Sequence, residues 1–282
     1  MHTEEFVLVE RAIGGDKQAL EELIGIVQDM VYNLSLRMLG NPQDAEDASQ
    51  EIFIRIMTGL SSFKKESAFS TWVYRIATNY LLNYKKSMFS KLPPLSFEYY
   101  GKDIEAGFVE THQEVLGGVD AELLSQELKM SCTNVMLQCF GAESRLIYVL
   151  GIMLKVDSKV CGEILGITPE AYRKRLSLIR QKMSGFLKQY CGLASSERCD
   201  CKKRVGYAIQ SRRLNPANLE YSRLEQADKD IVCEYIQAME EIDTQSFIFA
   251  QLPRYRSPQK VKDFLQKLLH SNSITTIQQT QI

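Results

Sequence analysis

The sequence predicts an all-α protein: two helical lobes joined by a flexible acidic linker, with a small helical C-terminal domain after them. Three observations predict this. Apolar residues recur at helical spacing, as in Phe6, Val9 and Ile13 and again in Leu20, Leu23, Ile24 and Val27. Helix starts carry capping residues followed by proline, at Asn41-Pro42 and at Thr168-Pro169. Acidic residues crowd into one stretch, Phe97 to Glu127, which shows little periodicity before Val119.

Composition sets the outer bounds. The 282 residues suffice for two or three small domains, and 45% hydrophobic content supports real cores. Lys plus Arg total 34 against 35 Asp plus Glu, so the net charge of −1 singles out no partner. The apolar runs fall short of a membrane span, and the acidic start MHTEEFVLVER is no signal peptide, so no membrane partner is expected. Seven scattered cysteines, without a secretory signal, point to a reducing cytoplasm.

The first lobe is expected over residues 1–92. Gly14-Gly15 breaks its opening helices. The segment GNPQDAEDASQEIFIRIMTGL then starts a helix at Asn41-Pro42. Its head holds Asp44, Glu46, Asp47 and Glu51 with no basic residue until Arg55, beside an apolar row of Ile52, Phe53, Ile56 and Leu60. Acids favour a helix N-terminus through its dipole, which accounts for Asp44 but not for Gln50 and Glu51 a turn later. After the loop SSFKKESAF, a helix runs from about Ala68 to Ser87, with Trp72 and Ile76 at core spacing. Pro93-Pro94 closes the lobe.

Residues 93–119 read as the linker. From Phe97 to Glu127 there are eight acids against one lysine, Lys102. A self-repelling spacer has this composition.

The second lobe, residues 120–190, holds the most informative motif, DSKVCGEILGITPEAYRKRLSLIRQKM. Asp157 or Ser158 caps a short helix, Gly162 is small where two helices cross, Gly166 makes the turn, and Thr168 caps the next helix. Tyr172, Leu176 and Ile179 face a core, which leaves Arg173, Lys174, Arg175 and Arg180 outside. A basic helix in a helix–turn–helix suits phosphates and guanine edges in a major groove; the same charge also suits an ordinary solvated face.

Residues 191–282 form the C-terminal extension, with helices expected near Gln226–Ile242 and Pro258–His270. Cys191, Cys199 and Cys201 lie beside six basic residues, a setting open to zinc, to redox sensing or to plain packing. No histidine lies close and C-x-C lacks C-x-x-C geometry, so no metal or other cofactor is assigned.

With both lobes read, a family resemblance emerges. DAEDASQEIFIRI resembles the DAEDLVQEVFLRL segment of bacterial RNA polymerase sigma factors of the sigma-70 family, group four, the extracytoplasmic-function (ECF) type. FSTWVYRIATNYLLNYKKS and EILGITPEAYRKRLSLIRQKM resemble that family's next two signature helices, in the same order, over about Glu4 to Tyr190. The resemblance makes residues 1–92 sigma region 2 and residues 120–190 sigma region 4. It implies partners in core RNA polymerase (the β′ clamp and the β subunit) and promoter DNA, with an anti-sigma factor as a further candidate. It implies that Asp44, Asp47, Gln50, Glu51, Phe53 and Ile54 dock on the polymerase. It also implies that Lys64, Lys65, Phe69, Arg75, Asn79, Tyr80 and Asn83 melt and read the −10 element, and that Arg173, Lys174, Arg175, Ser177 and Arg180 read the −35 element. The linker would thread toward the polymerase cleft as a polyanion that imitates RNA. CFGAESRLIYVL departs from the family in lacking a Leu-Pro pair, although Arg145 stands near the expected arginine.

The expected function is therefore a sigma factor that directs promoter recognition and DNA melting, with no catalysis of its own. Two other readings stay open here: a helix–turn–helix regulator that never touches polymerase, and a DNA-binding domain fused to a cysteine-dependent enzyme or sensor.

Overall fold

Capping and apolar spacing build the first lobe from α1 (His2–Ile13), α2 (Lys17–Leu39), α3 (Pro42–Gly59) and α4 (Phe69–Met88). The structure, a computed structural model, describes residues 2–88, 95–107, 117–195, 198–227 and 248–271. Asp16 caps α2 by accepting from the Gln18 and Ala19 amides, and Gly40, at φ 78°, ends it in the left-handed conformation. Asn41 caps α3 through the Asp44 amide at 3.0 Å. Phe6, Phe63, Phe69 and Trp72 cluster where the loop before α4 crosses α1, with ring centroids 5.4–6.1 Å apart.

The segment expected to be a flexible linker is helical where it is described. Ser96 caps α5 (Phe97–Ala106), and Tyr100, Gly101 and Ile104 are buried. Phe97 packs on Phe140 and Phe186, each with centroids 5.0 Å apart, and Tyr100 stacks on Phe186. Positions 97, 100, 101 and 104 follow the helical i, i+3, i+4, i+7 spacing; the surrounding acids masked it.

The second lobe comprises α6 (Ala121–Gln138), α7 (Ala142–Tyr148) continuing into a π-helical turn at Val149–Met153, α8 (Ser158–Leu165) and α9 (Pro169–Tyr190). The turn between α8 and α9 has the expected construction. Gly166 adopts φ 66°, and Thr168 accepts from the Ala171 amide at 3.2 Å. A Cβ on Gly162 would meet the Ile167 carbonyl oxygen at 2.7 Å, so the turn backbone needs the missing side chain.

The two lobes share one hydrophobic core, to which Val73, Tyr148, Cys161 and Leu187 all contribute. Arg145 bolts them together. Its guanidinium is buried and donates to the carbonyls of Leu137, Gln138 and Phe140 in the second lobe and of Met38 in the first, at 2.7–3.2 Å. Burial pulls its pKa down to about 9. The arginine that stands near the family's expected one is thus spent on the interior.

The extension wraps both lobes. Asp200 caps α10 (Cys201–Gln210) through the Lys202 amide at 2.9 Å, and α10 lies along α6. Glu127, buried on α6, accepts from the backbone amides of Glu220, Tyr221 and Ser222. A strap then crosses α2. The Asn33 side chain pairs with both backbone groups of Tyr255 at 2.7 and 2.9 Å, as a neighbouring strand would. Asp29 accepts from the Ser257 amide at 2.7 Å, and Arg37 donates to the Pro253 carbonyl at 2.6 Å. The chain ends its described course in α11 (Gln259–Leu269), which buries Val261, Leu265 and Leu269 against α2 and α3. This helix fits the expectation near Pro258–His270. The helix expected near Gln226–Ile242 falls mostly outside the described residues; Gln226 itself forms an isolated bridge with Tyr255.

Two outcomes test this packing. Arg145→Ala removes the guanidinium that joins carbonyls of both lobes and should cost about 3 kcal/mol or more, read by urea unfolding; a loss within experimental error would mean that the lobes do not depend on it. Asp103 binds Arg213, Tyr207 and Arg204. Burial pushes its carboxyl up, but these bonds and charges outweigh burial and hold it below 3.8. Its stabilisation is therefore present above that value and is lost as pH falls through the depressed pKa. Wild type should lose stability relative to Asp103→Asn below pH of about 4, and parallel acid-unfolding curves would contradict the assignment.

Candidate protein-docking and nucleic-acid interfaces

The acidic head of α3 is built on a rigid base. Ala45, Ala48, Ile52, Phe53 and Ile56 are fully buried, which turns Asp47 and Glu51 outward and leaves Asp44, Glu46, Gln50 and Ile54 half-buried. Burial, with the Asp47 charge, raises the Asp44 carboxyl. Phe53 corrects one expectation: it has no exposed surface in this conformation, so it supports the face from within the core instead of contacting a partner.

This face is already occupied. Lys260, at the start of α11, reaches Asp47 at 3.1 Å and Glu46 at 3.3 Å. Beneath it, Tyr221 and Tyr255 of the extension pack with Tyr32, Leu36 and Ala45 around the α2–α3 turn. Tyr221 also donates to the Gly40 carbonyl at 2.8 Å.

The α4 surface keeps part of its expected set. Asn79 and Asn83 are exposed and Arg75 is half-exposed, spaced i, i+4, i+8 along one stripe, and Lys64 is exposed in the loop before it. Tyr80 lies under Arg55, 5.1 Å from its ring centroid, and stands beside Tyr84. Lys65 takes a positive φ of 59° and pairs with Glu10. Phe69 is a second correction: it is fully buried between Phe63 and Trp72 and offers no stacking face. Trp72, expected in the core, is half-buried.

On α9, Arg173, Lys174, Arg175 and Ser177 are exposed and Arg180 is half-buried. Tyr172 anchors the helix by donating to the Ile147 carbonyl at 3.0 Å. Two of the basic groups are engaged within the chain, Arg173 with Glu170 at 2.8 Å and Arg175 with Glu143 at 2.6 Å. Such exposed pairs are weak and exchange readily for phosphates. The α4 and α9 surfaces are not independent. Helix α8 packs on α4, and Arg75 lies 3.7 Å from Glu163 of α8.

Cys191 and Cys199 form an isolated backbone bridge, and Cys201 opens α10. Burial raises all three thiols, that of Cys201 to about 11, which disfavours thiolate. Among the described residues no group of three or more His, Cys, Asp or Glu is arranged to hold a metal ion. No described helix is long and apolar enough to cross a membrane.

Sequence reasoning missed Asp29, Asn33 and Arg37, the α2 row that holds the strap. Their i, i+4, i+8 spacing was a readable signal of one polar face. Lys260 carried no signal until its acidic partners were in view.

Comparison with known proteins gives a consistent result. The Sigma-70 region 2 family matches residues 23–87, which include most of α2, all of α3 and nearly all of α4. ECF RNA polymerase sigma factor SigW of Bacillus subtilis is 33% identical over 173 residues, covering 60% of this chain and 89% of the relative. The ECF RNA polymerase sigma-E factor of Haemophilus influenzae is 38% identical over 122 residues, or 43% of this chain and 63% of the relative. RNA polymerase sigma-H factor of Pseudomonas aeruginosa is 42% identical over 77 residues, or 27% of this chain and 40% of the relative.

Removing the charges of Arg173 and Arg175 should weaken binding to a mapped promoter. Each lost phosphate contact should flatten the salt slope by about one unit, and a lost bidentate base contact should cost about 1–3 kcal/mol. Wild-type affinity and slope in both variants would remove α9 from the interface.

Proposed function

The chain belongs to the ECF RNA polymerase sigma factors of the sigma-70 family, and we propose that its own C-terminal extension holds it in a closed, inactive form. As a sigma factor it binds core RNA polymerase and promoter DNA and directs transcription initiation. Recognition and strand opening are its work, and the polymerase does the chemistry. The relatives favour neither the stand-alone regulator nor the cysteine-dependent enzyme.

In this reading residues 1–92 are region 2, with α3 docking on the polymerase β′ clamp and α4 reading the −10 element. Residues 120–190 are region 4, with α9 reading the −35 element. The exposed stripe of Arg75, Asn79 and Asn83 supports the −10 role, because base edges need donors and acceptors beside a cation.

The observation that carries the closed form is Lys260. It holds Glu46 and Asp47, two acids of the α3 head, of which Asp47 is a proposed polymerase contact. With α11 lying over α3 and Lys260 on Asp47, a polymerase cation has to share that carboxylate or displace the pair to reach it. The strap on Asp29, Asn33 and Arg37 fixes α11 in register over α3. The lobe contacts add a second block. The −10 and −35 elements lie about 25 base pairs apart, or about 85 Å along the duplex at 3.4 Å per base pair, whereas α4 and α8 touch. Engagement of a promoter therefore requires the lobes to part. The extension thus fills the role that a separate anti-sigma factor would otherwise fill.

Lys260→Glu puts like charges together and should tighten binding to core polymerase several-fold in a pull-down. Asp47→Lys with Glu51→Lys should weaken it while circular dichroism stays unchanged. If Lys260→Glu binds no better than wild type, the extension does not compete for this face. If the α3 double variant binds normally, α3 is not the docking helix.

A further inference from the structure

Away from both interfaces, a cleft of about 250 Å³ lies where α5, α6 and α10 meet. It falls below the usual range for drug-sized ligands, so it suits a smaller molecule. Its wall is mostly apolar, with Tyr100, Leu128, Val135 and Ala208 among the lining groups. Three thiols complete that wall, those of Cys132, Cys199 and Cys201. Burial raises each of them, to about 12 for Cys132 and about 11 for Cys201, so they line the cleft as neutral groups.

The charges in the wall do not balance. It contains one carboxylate, Asp103, and two guanidinium groups, Arg204 and Arg213. Arg213 makes the closer contact, donating to both Asp103 oxygens, whereas Arg204 reaches Asp103 through Nη2 alone, at 3.3 Å. The Arg204 side chain is 6% exposed, and among the described residues its Nε and Nη1 have no oxygen or nitrogen acceptor. The Tyr207 ring, 5.4 Å away, offers one face. The Cys199 thiol lies beside the guanidinium, whose charge and hydrogen bond oppose the burial that raises the thiol. A protonated thiol is a weak acceptor and cannot replace an anion. Two dry guanidinium nitrogens in an apolar cleft are costly, and an oxygen acceptor would remove the cost.

We propose that this cleft binds a small monoanion with an apolar body, of the short-chain or aromatic carboxylate class, whose head group pairs with the Arg204 guanidinium as that side chain turns Nε or Nη1 toward the cleft. The apolar body lies against Leu128, Val135 and Ala208. Because the walls come from the middle segment, the second lobe and the extension, an occupant ties all three together. Nothing in this inference depends on the docking role of α3.

The test is thermal unfolding of the full chain with octanoate, benzoate, their alcohol counterparts octanol and benzyl alcohol, and inorganic phosphate. At least one carboxylate should raise the melting temperature with concentration. Its alcohol counterpart should need at least tenfold more for the same shift, and phosphate should give none. Arg204→Met should erase the preference for the acid. Ala208→Leu fills the cleft without touching the Asp103 network, and should abolish the shift even if Arg204→Met fails to fold. A bound carboxylate should also slow alkylation of Cys132, Cys199 and Cys201. The proposal is overturned by no shift with either acid, which would leave ordered water as the partner of Arg204. Equal shifts from acids and alcohols, a matching shift from phosphate, or an undiminished shift in Ala208→Leu would overturn it as well.

Discussion

The ion pairs of Lys260 with Glu46 and Asp47, set by α11 lying over α3, are the interaction on which the closed form of this molecule depends. The α3 head presents Glu46 and Asp47 from a helix whose inner side is fully packed, so its carboxylates keep their places whichever partner arrives. A charged face of this kind gives steering and register more than raw affinity. Raw affinity within the chain comes from elsewhere: the apolar side of α11 and the backbone bonds that Asp29, Asn33 and Arg37 make to the strap. Lys260 then needs only to reach its acids. The division matters for release, because a competing cation has to displace the exposed ion pair before the apolar contact is challenged.

Charge complementarity within the chain recurs beyond α3. The middle segment is acidic and the start of the extension, Arg198 to Arg213, is basic, and the structure brings them together. Asp103 meets Arg204 and Arg213, and Glu122 meets Lys202 at 2.7 Å. Glu127 receives backbone amides of the extension. A net charge of −1 thus conceals local patches of opposite charge that meet on folding. It also changes the meaning of the acidic segment. Several of its described acids have partners inside the protein, so it is not a uniformly solvated polyanion waiting for a basic cleft.

Much of this was legible in the sequence, for identifiable reasons. Caps and turn glycines act locally, so Asn41, Gly162, Gly166 and Thr168 could be read from neighbours a few residues away. Exposure was harder. Phe53 lies beside half-buried Ile54 and Phe69 between half-buried Ala68 and Ser70, and a shift of one residue around a helix turns a contact residue into a core residue. Helix α5 was hidden because its acids suggested repulsion, whereas the cations that neutralise Asp103 lie about a hundred residues later. The lobe contact through Arg145 and the strap on α2 are also long-range. No local pattern announces a partner more than a hundred or two hundred positions away.

The most direct measurement is hydrogen exchange at the Tyr255 and Ser257 amides, which Asn33 and Asp29 hold in the closed form. Both should be protected in the free chain and should exchange freely once core polymerase is bound, because the polymerase takes the face that α11 covers. Protection that persists unchanged in the complex would contradict the account: the extension would then be a fixed part of the docking surface and not a competitor for it.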